Sequence, residues 1–164
     1  MSVEKFQFGP QPALDKARAD QEKCEQALGQ ALKLLAAEKE KLRQIEAQIQ
    51  QTRQQIAAET DKLFEETRRG VSGQALVARD AYARALRQRE AKQQAERDEQ
   101  QQQVRFAGQK VALRRQELAE VQARVSALEK VRARMLAEHG KSVAKREERK
   151  QDDVTSLYHK PRRS

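Results

Sequence analysis

The chain has 164 residues, of which 37% are hydrophobic, 4% aromatic and 36% charged, with no Trp and a net charge of +9. So few bulky apolar groups cannot fill a globular core, and without one there is no enclosed pocket for a catalytic acid or base. They are enough to seal a narrow seam between two helices, and the expected class is all-α.

The first stretch, residues 1–11, holds Phe6, Phe8, Gly9 and Pro10 and reads as an N-terminal anchor segment. Helix one is expected over 12–69. Pro12 suits a first helical turn, where a missing N–H costs nothing. Every seventh position from Leu14 gives Leu14, Gln21, Leu28, Leu35, Leu42, Ile49, Ile56 and Leu63. A second set runs between them as Ala17, Cys24, Ala31, Glu38, Ile45, Thr52 and Glu59. Steps alternating between three and four define a coiled-coil stripe, and disordered chains have no reason to keep such a phase. The lone Cys24 sits on this stripe and reads as a small buried hydrophobe.

A hinge over 70–73 follows, with Gly70 and Gly73 breaking the helix and Ser72 able to cap the next one. Helix two is expected over 74–157. It opens on Leu76, Tyr82, Ala83 and Leu86. Between Ala91 and Gln103 the apolar pattern fades into Gln, Glu and Arg, which reads as a softer stretch or a docking place. It returns as Val104, Val111, Leu118 and Val125, with Ala107, Val121, Leu128 and Met135 on the second seam; Arg114 interrupts that seam and can snorkel.

Two long helices joined by a short Gly turn fold back on each other. The expected architecture is a long two-stranded antiparallel coiled-coil hairpin, in which a helix one of this size extends roughly 85 Å. Folding about residue 71 or 72 brings Leu14 near Glu129 and Cys24 near Ala119. From about residue 131, helix two then has no partner within the chain. This C-terminal helical overhang holds Val131, Met135, Leu136 and Val143, then the charged run from Lys145 to Asp153. A basic tail, 158–164, ends the chain; it includes Pro161, before which the helix must stop.

Charge is uneven along the chain. Residues 1–70 carry 12 basic and 12 acidic groups, and the remainder carries 22 and 13. The second half thus seeks an acidic or anionic partner. Gly140-Lys141-Ser142 lacks the earlier Gly of a phosphate loop, since position 135 is Met. His139 and His159 have no His or Cys at ligand spacing. Carboxylates beside Lys and Arg read as solvated ion pairs. No cofactor, no metal and no enzymatic activity are expected. No apolar run approaches the roughly 20 residues of a membrane span, and no signal peptide is visible, so a cytoplasmic protein is the default.

At both ends the sequence resembles the FliJ family, the coiled-coil stalk of the flagellar and type III export ATPase. Lys5-Phe6-Gln7-Phe8, then Pro12-Ala13-Leu14-Asp15-Lys16-Ala17-Arg18, resembles the family's start. Ala127 to Arg132 resembles its late helix, and Arg146 to Asp153 its terminal basic-acidic signature, with Glu147, Arg149 and Asp152 in matching places. Gln151 departs from that pattern, as does the basic tail. The resemblance implies a non-catalytic shaft that binds the export ATPase hexamer, promotes its activity, and links it to a membrane-embedded export gate and to export chaperones. It implies peripheral association with the inner-membrane apparatus. Leu14, Arg18, Met135, Arg146, Glu147, Arg149, Asp152 and Asp153 would meet the ring; Leu76 and Tyr82 would face the gate. A flagellar machine fits the plain opening motif better than an injectisome.

Two other readings share the heptads and the charge. A generic coiled-coil scaffold would self-associate rather than form a monomeric hairpin. A basic nucleic-acid-associated protein would need a stacking platform, and none is present in a chain whose basic groups alternate with acids. Direct nucleic-acid binding is therefore not expected.

Overall fold

The computed structural model describes residues 5–159. They form two helices, α1 (Gln11–Arg69) and α2 (Gly73–Tyr158), packed against each other as an antiparallel hairpin, with no strand among the described residues. Pairs such as Gln11 with Arg132, Arg18 with Glu129 and Arg53 with Glu90 follow the register expected from a fold about residue 71 or 72.

The connection is built from local chemistry. Gly70 has φ +77°, a left-handed conformation that costs an L-residue with a Cβ. Its N–H donates to Thr67 O, and Val71 N–H donates to Glu66 O, the paired bonds of a Schellman cap. Arg68 and Arg69 in the last turn of α1 complement the negative end of the helix dipole. Ser72 then caps α2: its Oγ accepts from Ala75 N–H at 3.4 Å.

Two compact units divide the contacts. One comprises the residues up to Glu25 with those from Gln116 on; the other is Gln26–Arg115. In the first, Leu14 is fully covered and Ala17, Val125 and Phe8 are buried around it, with Phe6, Val121 and Leu128 packed on the outside. Burying a Leu completely contributes about 1.5–3 kcal/mol. In the second, the buried side chains are Ala31, Ile49, Thr52, Ala83, Leu86, Ala107 and Val111.

Residues 91–103 are helical throughout. Glu90, Gln93, Arg97 and Gln100 continue the spacing of Leu86 and lead into Val104, all partly buried. The apolar signal is lost here because polar side chains occupy the seam, not because the helix ends. Gln100 Nε2 donates to Glu38 O at 3.0 Å and to the Glu38 carboxylate. These bonds hold the Glu38 carboxyl below its usual pKa, the Gln100 bond first and Lys41 next. Arg53 Nε donates to Glu90 Oε1 at 2.6 Å. Gln93 Oε1 is buried with no hydrogen-bond partner among the described residues.

From Glu129 to Glu138 every residue of α2 is exposed, although contacts reach that stretch and its end. Arg132 Nε donates to Gln11 Oε1 at 3.2 Å, and the Phe6 ring lies against His139 with centroids 5.5 Å apart. The segment ahead of α1 thus touches α2 as far as His139. From Ala144 to His159 every residue is exposed as well.

Candidate functional site: an exposed helix end and a glycine turn

Within the first unit, the expected ring-contact residues separate by burial. Leu14 is 0% exposed and is wholly used by the hairpin core. It has no surface to offer a partner and is corrected to a core residue. Arg18 Nη2 donates to Glu129 Oε1 at 3.1 Å, with both side chains about half exposed. Such a pair contributes at most about 1 kcal/mol, so Arg18 can exchange partners cheaply. Met135 is 39% exposed, beside Val131 and Leu136 at similar exposure. Arg146, Glu147, Arg149, Asp152 and Asp153 all lie on the exposed overhang.

Helical spacing sorts that overhang into faces. Arg146, Arg149 and Asp153 share one face with Lys150 and Leu157. Glu147 shares another with Val154 and Tyr158. Asp152 lies on neither. The sequence reading missed the apolar members: Val154, Leu157 and Tyr158 are 52%, 68% and 84% exposed. Their spacing of three and four was legible but was overshadowed by the charged run before them. The tail residues from Lys160 lie outside the described residues.

In the second unit, Leu76 is half-buried on the seam and Tyr82 is half exposed. Six residues apart, they lie about 120° apart around α2 and do not form one surface. Val77 and Phe64, which sequence reasoning passed over, are each 70% exposed. The turn is clamped by Arg79, which reaches Glu59 Oε2 at 3.0 Å through Nη1 and Glu66 through Nε. Glu66, and then Glu59, raise the Arg79 pKa further above its usual value. Arg84 pairs with Asp80 on the adjoining surface.

Among the described residues no three His, Cys, Asp or Glu side chains converge as a metal site. No helix of the described residues is long and apolar enough to cross a membrane. The geometry offers side chains for protein contact.

No curated protein matches the chain. Among solved structures, a candidate YscO homologue, CT670 of Chlamydia trachomatis, is similar over 94% of this chain and 96% of its own, with a TM-score of 0.80 and 20% identity. At that identity the likeness is one of fold. The family model of YscO-like proteins matches residues 7–164. The expected kinship to a type III export protein is thus met at the level of the YscO-like family; the narrower kinship to FliJ is not shown. Through that match over nearly its whole length, the chain belongs to the YscO-like family, which is associated with type III secretion.

Proposed function

We propose that this protein is a non-catalytic stalk of a type III export apparatus. It binds the export ATPase hexamer, promotes its activity, and links it to the export gate and to export chaperones. In this role it lies peripherally on the inner-membrane apparatus from the cytoplasmic side. The ring contact uses Arg18, Met135, Arg146, Glu147, Arg149, Asp152 and Asp153, extended by Val154, Leu157 and Tyr158. The gate contact uses Leu76, with the exposed Val77 next to it, or Tyr82. The reading is kept at the level of type III export, because the family match carries no flagellar element.

One observation carries the reading: α2 outruns its intrachain partner and exposes every side chain from Ala144 to His159. A helix of that length is marginal alone in water and gains stability when a partner covers it. Its mixed charge matches a partner surface with charges of both signs, an attraction that weakens as salt rises.

The test is steady-state ATP hydrolysis by the export ATPase with full-length protein and with a chain truncated after Lys141. The full chain raises turnover. The truncated chain keeps most of its helical circular dichroism and leaves turnover at the unstimulated rate. Equal stimulation by both chains would remove the overhang from the mechanism.

A further inference from the structure

The second unit carries a surface that the stalk reading does not use. From Gln26 to Ala37 in α1 there is no acidic residue, and from Gln100 to Gln116 in α2 there is none either. The antiparallel register sets these two stretches side by side. Together they hold Lys33, Arg105, Lys110, Arg114 and Arg115, bounded by Glu25, Glu38, Glu99 and Glu117. Elsewhere on α1 basic groups pair with acids, as in Arg43 with Glu40 or Lys62 with Glu59. Within this band Lys33, Arg105, Lys110 and Arg115 form no ion pair among the described residues.

The same band exposes large apolar groups. Leu34 is 45% exposed, Leu113 52% and Phe106 60%. Leu34 lines a shallow groove with Ala27, Gln30, Ala31, Lys110 and Arg114. On α2, Phe106, Lys110 and Leu113 follow spacings of four and three, so one flank of the helix presents apolar, basic, apolar in order. Neither aromatic nor leucine is needed for the seam, which Val104, Ala107 and Val111 already fill. Exposing them costs solubility unless something covers them.

We propose that this flank is a docking surface for an acidic amphipathic segment of a partner protein. Such a segment lays apolar side chains on Leu34, Phe106 and Leu113 and sets carboxylates against Lys110 and Arg114, in the manner of a helix bound in a groove. Charge complementarity selects it: two adjoining stretches with five basic and no acidic residues steer an acidic ligand and disfavour a basic one. A nucleic-acid strand would require aromatic faces in series, and the band holds one aromatic, Phe106. A lipid surface needs one flat apolar face, whereas Leu32, 40% exposed, and Leu34 stand two residues apart and cannot share one. The proposal is independent of the stalk reading.

The experiment uses the full chain and a fluorescein-labelled synthetic helix of about 18 residues, with Leu along one face and Glu on both flanks. A scrambled peptide of the same composition is the control. Anisotropy is read at low and at physiological salt. The amphipathic peptide binds saturably, and the scrambled one binds about tenfold more weakly. The double variant Lys110→Glu/Arg114→Glu loses about tenfold in affinity, as does Phe106→Ser/Leu113→Ser, with helix content unchanged. Lys141→Glu/Lys145→Glu, a charge change of the same size on the overhang, leaves affinity within about twofold. Equal binding of both peptides, or equal loss from the overhang variant, would overturn the proposal. So would stronger competition by phosphatidylserine vesicles or by single-stranded DNA than by unlabelled peptide.

Discussion

Phe6 lies against His139 with ring centroids 5.5 Å apart and the planes inclined by 50°. The contact carries the hairpin beyond the first turn of α1, because the strap ahead of Gln11 touches α2 as far as His139. Phe8, 7% exposed, pins that strap to Leu14 and Val125. Replacing a buried Phe by Ala costs about 3 kcal/mol. In the Phe6→Ala/Phe8→Ala variant, amides of α2 from Val125 to His139 will exchange with deuterium faster, and those around Ala83 and Leu86 will not. Uniform exchange along α2 in both proteins would mean that the strap does not cover it.

Glycine substitutions should divide by backbone conformation. Gly70 has φ +77°, so Gly70→Ala forces a left-handed alanine and should destabilise the protein by about 1 kcal/mol. Gly108 is helical, and a Cβ there meets nothing within 4 Å. Gly108→Ala should stabilise by about 1 kcal/mol through helix propensity. Urea midpoints will move in opposite directions for the two variants; movement in the same direction would contradict the reading of the turn.

The polar layer in the second unit contains a removable cost. Gln93 Oε1 is buried without a hydrogen-bond partner among the described residues. An unsatisfied buried acceptor costs about 1–3 kcal/mol. Gln93→Leu should therefore raise the thermal midpoint, and a fall would show that the amide oxygen is satisfied in solution.

The same layer responds to acid. Glu38 has its folded pKa lowered from the usual 4.5, chiefly by the Gln100 bond and next by Lys41. A depressed carboxylate contributes stability that is present above the unfolded pKa and lost as pH falls through the folded value. Acidification from neutral pH to below about 4 should weaken the wild type more than Gln100→Leu, which has already lost the bond. Parallel stability curves for the two proteins would remove Glu38 from the pH response.

Much of the fold was legible because a coiled coil writes its contacts into the period of its sequence. All the heptad positions of α1, from Leu14 to Leu63, are buried or half-buried, including polar Gln21, Glu38, Thr52 and Glu59. The turn was legible because Gly70 and Ser72 act locally. Two things were not. The strap has no period, so the pairing of Phe6 with His139 could not be read from spacing. A heptad also marks position without depth, and so Leu14 was taken for a contact residue although it is the most deeply buried large side chain. The exposed Val154, Leu157 and Tyr158 had a helical spacing but no second stripe opposite them to call attention to it.

The most direct measurement is an affinity pull-down of the tagged full chain from its source cell, at moderate salt and after nuclease treatment, with the bound proteins identified by mass spectrometry. The account predicts recovery of a hexamer-forming export ATPase, and its loss when residues 142–164 are removed. Recovery of the chain alone, or of nucleic acid in place of the ATPase when nuclease is omitted, would contradict it.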